Sequence, residues 1–237
     1  MSNSLTNLQH KINSARDLQS VVRTMKAMAA VNITQYENAV NSLSDYYQTV
    51  KLGLNVCFHQ ANSSGSEPHY KVDRNHNNIG VIAFGSDQGL VGQFNNLLSN
   101  FLIEKVQNFH GEKYLWAIGG RIHPLLSKAD MHMGKSYRLP VCLDTVSDLV
   151  GELILEIEWH RENKGINQLF VFHNRPTSKS TYTTTYHKLL PIDQSWKDEL
   201  VITQWPSKSL PELLNDKEIT FKALIREYLF VSIYKAC

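Results

Sequence analysis

The first 57 residues contain no proline, and Gly53 is their only glycine. Laying a heptad on this stretch with Leu5 at position a places Ile12, Ile33, Val40, Tyr47 and Leu54 at later a positions. The d positions are Leu8, Ala15, Val22, Ala29, Tyr36, Leu43, Val50 and Cys57. Only Gln19 and Lys26 break the pattern, both at a. An apolar repeat held over about seven heptads specifies a long helix with a coiled-coil seam. At ~1.5 Å per residue such a helix spans ~80 Å, whereas a compact globule of this chain length has a radius of gyration near ~18 Å. The helix therefore has to project, and a projecting apolar stripe needs a partner. Around the two polar positions the stripe moves to Leu18, Val21, Met25 and Met28. That shift reads either as a stutter in the coil or as a second contact surface, with Arg23 and Lys26 beside it.

Residues 60–78, QANSSGSEPHYKVDRNHNN, are rich in Ser, Asn, His and charge and poor in large aliphatics. They read as an exposed linker. Downstream, strand and helix signals alternate. Residues 79–84 form a short apolar run ending at Gly85, and 95–109 carry Leu97, Leu98, Phe101, Leu102, Val106 and Phe109 at helical spacing. Strands follow at 114–118, 135–139, 166–173 and 181–190, the last polar and rich in Thr and Tyr. Helices are expected at 122–129 and 145–162. This order predicts an α/β layer around a largely parallel sheet. Residues 216–237 are helical again, with Phe221, Leu224, Tyr228 and Val231 on one stripe. Coiled-coil spacing at both ends predicts an antiparallel pair, in which the ~32 Å tail runs beside residues 40–54 and leaves 5–28 uncovered. The expected organisation is therefore a coiled-coil helix at 1–58, a linker at 59–78, an α/β domain at 79–215 and the start of a second coiled-coil helix at 216–237.

Chemistry is sparse. A net charge of +2 supplies no basic stripe for nucleic acid. No apolar run approaches the ~20 residues of a membrane span. Cys57, Cys142 and Cys237 are too far apart to suggest a disulfide framework or a zinc site, and His69, His76 and the other histidines are scattered without ligand spacing. Neither a catalytic set, nor a metal site, nor a cofactor is expected. The one candidate is the turn from Gly85 to Asn95, GSDQGLVGQFN, between a strand and a helix. Its glycines do not follow G-x-G-x-x-G, and no Lys-Ser/Thr follows them. It reads as a structural turn in which Gly89 and Gly92 allow tight bending and Ser86 or Asp87 caps the helix. Gly119-Gly120-Arg121 after the second strand is a weaker version of the same turn.

These residues resemble a known family. LQSVVRTMKAMAA, from Leu18 to Ala30, is similar to the N-terminal helix of F-type ATP synthase gamma subunits. SDQGLVGQFN resembles that family's signature S-D-R-G-L-C-G-G-F-N, matching at Ser86, Asp87, Gly89, Leu90, Gly92, Phe94 and Asn95 and departing at Gln88, Val91 and Gln93. Gln88 and Gln93 are similar to residues of the alternate, sodium-associated branch. Leu189-Leu190-Pro191 and Arg226-Glu227-Tyr228-Leu229 also resemble family segments.

The resemblance implies a Rossmann-like α/β domain plus an antiparallel coiled coil of the two terminal helices. It implies a non-catalytic rotor shaft inside a hexamer of α and β subunits, near the epsilon subunit and the membrane ring of c subunits. Such a shaft couples ion transport to ATP synthesis or hydrolysis. It would be peripheral to the membrane, on the cytoplasmic face of the energy-coupling membrane. Arg23, Met25, Lys26 and Met28 are then expected to meet the hexamer. The family continues past the point matching Cys237, so the return helix is expected to be present only at its start, as in a fragment, a truncated reading frame or a variant of reduced function. Two other readings stay open: a ligand-binding or enzymatic α/β domain with a coiled-coil dimerisation arm, and a coiled-coil adaptor with no rotary role.

Overall fold

The computed structural model describes residues 2–64, 77–178, 181–192 and 216–237, with isolated positions between 196 and 213. The histidines at 69 and 76 lie outside them. The chain divides into two compact units, Met1–Asp45 and Tyr46–Cys237. Helix α1 (Ser2–Ser64) supplies all of the helical structure of the first unit and opens the second. The division falls inside the helix, not at its end. The helix also runs through Ser64, so the segment expected as a linker begins as helix. Polar residues do not exclude a helix, because helix propensity differs among them by only a few tenths of a kcal/mol.

In the first unit the apolar stripe faces outward. Leu5, Leu8, Ile12, Leu18, Val21, Val22, Met28, Val31 and Ile33 are all exposed. Thr24 and Thr34 donate their hydroxyls to the carbonyls of Ser20 and Ala30, a back-bonding that keeps these β-branched residues compatible with a helix.

The second unit is built on a five-stranded sheet in the order β3-β2-β1-β4-β5. Strands β1 (Asn78–Phe84), β2 (Lys113–Ile118), β3 (His132–Met133) and β4 (Ile166–Ser178) are parallel, and β5 (Thr181–Leu190) runs antiparallel to β4. The parallel strands are joined through α2 (Phe94–Gln107), α3 (His123–Leu126) and α4 (Val146–Lys164). Side chains alternate between the faces. Val81, Ala83, Leu115, Phe170 and Phe172 pack against Leu98 and Leu102 of α2 and Leu126 of α3. On the opposite face Trp116 is fully buried and meets the ring of His160 from α4, 5.2 Å between centroids. Gly165, at φ 63°, closes α4 in the left-handed conformation that glycine adopts without a Cβ clash. The strand expected at 135–139 is displaced. Only His132 and Met133 pair with β2, and Tyr137 makes one isolated bridge to Ile118.

Helix α5 (Lys217–Ala236) begins at Asp216, whose carboxylate accepts from the backbone N–H groups of Glu218 and Ile219. Within this unit it packs antiparallel to the last turns of α1. Phe58 meets Phe221 edge to face at 5.5 Å, and Tyr47 stacks near Tyr228 at 6.2 Å. Between them a Cβ at Gly53 would stand 2.9 Å from Leu224, so the lone glycine of α1 makes room for that side chain. The covered span differs from the expected 40–54. Burial in α1 starts at Val50 and continues through Phe58, while Val40 is exposed. Because α1 is longer than the seam suggested, the tail starts opposite Phe58, and Tyr228 is the residue that meets Tyr47.

Candidate functional site

The turn after β1 is held by its own side chains. The Gly85 N–H donates to the carbonyl of Ile118 at 2.8 Å, which ends the β1–β2 pairing. Ser86 and Asn95 then bond reciprocally: the Ser86 N–H donates to Asn95 Oδ1 at 2.9 Å, and Asn95 Nδ2 donates to Ser86 Oγ at 2.8 Å. The Ser86 hydroxyl donates onward to the carbonyl of Gln88. A motif with Ser at its start and Asn nine residues on thus closes into a loop. Asn95 is itself buried, so its polar atoms have to be satisfied there. Phe94 docks on β5, its ring 5.1 Å from that of Tyr182, and its carbonyl accepts from Asn174 Nδ2.

Neither Ser86 nor Asp87 caps α2, contrary to expectation. The residue at the cap position is Gln93, whose side chain caps no backbone N–H and instead accepts from Asn96 Nδ2 at 2.9 Å. Asp87 is occupied elsewhere. Its two carboxylate oxygens accept from the backbone N–H groups of Gly120, at 2.5 Å, and Leu139, at 2.7 Å. Two donors already aimed at one carboxylate outcompete a helix terminus several residues away. The turn after β2 answers in kind. The Arg121 N–H donates to the Ser86 carbonyl at 2.9 Å. Gly119 sits at φ 105°, and a Cβ there would come within 2.9 Å of Gly85 C and Ser86 N. The weak glycine pair of the second turn is therefore the mate of the first.

The tip is different. Leu90 lies at φ 63°, a region costly for a residue with a Cβ, and its side chain is 78% exposed. Gly92 follows at φ 59° with no atom near enough to obstruct a Cβ. Gly89 meets nothing closer than the Arg121 guanidinium, 3.7 Å from an added Cβ. Internal packing accounts for Ser86, Asp87, Phe94 and Asn95, and backbone conformation for Gly92; it does not account for Leu90. An open depression of about 240 Å³ lies beside the tip, lined by Gln88, Val91, Asn96, Arg121 and Leu125 among others.

The second group of expected site residues sits on α1 in the first unit. Arg23, Lys26 and Met28 are exposed and Met25 is half-buried, so the four occupy two turns of helix and do not gather into a pocket. The strongly perturbed titratable groups lie elsewhere. Burial, with His187 and Arg175 nearby, pulls the His173 imidazole down to about 4. Burial and the carboxylates of Glu156 and Glu152 push the Tyr137 phenol up to about 12. Among the described residues no three His, Cys, Asp or Glu side chains are gathered to hold a metal ion, and no helix is long and apolar enough to cross a membrane. The turn has the geometry of a brace: its hydroxyl and carboxylate are committed to hydrogen bonds.

Residues 4–237 match the ATP synthase family. The chain belongs to that family, among its gamma subunits. The gamma chain of Streptococcus agalactiae (serotype III) is 25% identical over 243 residues, covering 100% of this chain and 80% of the relative. That of Streptococcus thermophilus is 24% identical with the same coverage. Among solved structures, a chain of the Tetrahymena thermophila mitochondrial ATP synthase central stalk and c-ring has the same fold. Its TM-score is 0.59 at 15% identity, covering 91% of this chain and 90% of that one. A gamma subunit is a non-catalytic rotor subunit, and the gamma chain described here is one.

Proposed function

We propose that this gamma subunit is a rotor shaft that couples ion flow through a membrane ring of c subunits to ATP synthesis or hydrolysis on an α/β hexamer. The observation that carries this reading is the exposed stripe of the first unit. Leu5 is 73% exposed, Met28 63% and Ile33 56%. Burying such a side chain contributes roughly 1.5–3 kcal/mol, so a stripe of nine of them is a surface for a partner that encloses a helix. In this reading Arg23, Met25, Lys26 and Met28 meet the hexamer. The α/β unit stands toward the epsilon subunit and the c-ring, which holds the protein at the membrane as a peripheral component on its cytoplasmic face. The likeness to a central-stalk chain described together with its c-ring supports that arrangement.

The test is reconstitution with α, β, epsilon and a membrane ring. A photo-crosslinker at position 25 is expected to reach a β subunit. Lys26→Ala is expected to alter coupling while folding stays intact, since exposed surface substitutions usually stay within about 0.5 kcal/mol. Crosslinks confined to this chain, or ATP hydrolysis that never drives ion transport, would contradict the proposal.

A further inference from the structure

We infer that Asp87 is a positioning residue that clamps three segments of the α/β unit into one body. Its carboxylate joins the turn after β1 to the segments that follow β2 and β3. One oxygen takes the N–H of Gly120 at the end of β2, and the other takes the N–H of Leu139 beyond β3. The edge it pins is the weakest part of the sheet. β3 pairs with β2 only at Tyr114↔His132 and Leu115↔Met133, and the next contact is the single bridge Ile118↔Tyr137. A Cβ at Gly120 would press to 3.3 Å on the same carboxylate oxygen, and one at Gly119 would press on the backbone of Gly85 and Ser86. The glycines are the complement of the clamp. The residue has to be acidic. An amide in its place offers one acceptor oxygen, and its NH2 would face the second backbone N–H, donor against donor. Charge-assisted bonds to a carboxylate are also about twice as strong as neutral ones.

The functional part of this inference rests on the rotor-shaft reading. A body that passes torque holds its load only while its turns do not yield, and Asp87 holds the turn that carries Leu90. The test compares the wild-type chain with Asp87→Asn and Asp87→Ala. Amide hydrogen exchange at Gly120, Leu139 and residues 89–92 is expected to rise at least about tenfold in both variants, while the central strand at 81–83 stays as protected as before. In the reconstituted complex the variants are expected to assemble and hydrolyse ATP like wild type. The ion gradient at which hydrolysis-driven transport stalls should fall at least about twofold. Unchanged exchange at Gly120 and Leu139, or a wild-type result for Asp87→Asn, overturns the clamp. Raised exchange with an unchanged stall gradient overturns its role in torque. If the wild-type chain itself drives no transport, the rotor reading falls, and the exchange measurement alone decides the clamp.

Discussion

One seam of apolar residues runs through both units, yet its two parts have opposite fates. Leu5, Leu8, Ile12 and Ile33 stand in water, whereas Val50, Leu54 and Cys57 are buried. Residue type does not explain this, because Leu5 and Leu54 are the same amino acid, both at position a. What differs is the neighbour. From Tyr46 onward α5 lies alongside, with Phe221, Leu224 and Tyr228 supplying the opposite face. The lesson is that a heptad records a demand for cover. Where the chain itself meets the demand the seam belongs to the core. Where it does not, the same pattern stays exposed, and in the proposed reading it is a binding surface.

The largest expected contrast follows from that difference. Leu54 is fully buried, so Leu54→Ala should cost about 2–5 kcal/mol of unfolding free energy by transfer and cavity terms. Leu8→Ala should change it by less than about 0.5 kcal/mol. Denaturant titration of the isolated chain reads both, and comparable losses would show that the first part of the seam is already covered. Next in size is Gly119→Ala in the second unit. Its φ of 105° and a Cβ 2.9 Å from the backbone of the facing turn should cost about 1–3 kcal/mol. Gly92→Ala, with positive φ but open space, should cost only about 1 kcal/mol.

The sequence made the long helix, the strand-helix order and the turn readable because each depends on local periodicity or on a short motif. It did not reveal what Asp87 does. Helix capping is a local rule, and the carboxylate is instead taken by amides 33 and 52 residues away. No local signal marks Leu139. Gly119 and Gly120 did carry a signal, a glycine pair at a strand end, but its meaning depended on which turn would face it. Strand β3 was misplaced for a similar reason. Tyr137 and Leu139 after Gly134 suggest a strand, whereas the residues that pair with β2 are His132 and Met133 before it. The covered span of the coiled coil was set too early, because the seam fixes which side is apolar but not where the return helix begins.

Two pH effects separate the units further, since both groups lie in the second. His173 has its pKa lowered to about 4 from 6.5. The folded state favours the neutral ring, so this contribution is present in full above pH 6.5 and is lost as pH falls toward 4. Urea midpoints measured over that range should drop, and His173→Gln should flatten the slope. A smaller effect comes from Tyr46, whose hydroxyl donates to Glu227 at 2.6 Å. That bond to a carboxylate, then burial, raises its pKa to about 12. The raised value means that stability is present below about pH 10 and is lost as pH rises through 12. Tyr46→Phe should remove that alkaline slope and, because the pair is partly exposed, cost at most about 1 kcal/mol at neutral pH.

Amide hydrogen exchange along α1, followed in the free chain and in the assembled complex, tests most directly whether the uncovered seam is a partner surface. The account predicts that residues 5–33 exchange rapidly in the free monomer and become strongly protected on assembly with the α and β subunits, while residues 50–58 are protected in both states. Strong protection of 5–33 in the free monomer, or no change in that stretch on assembly, would contradict it.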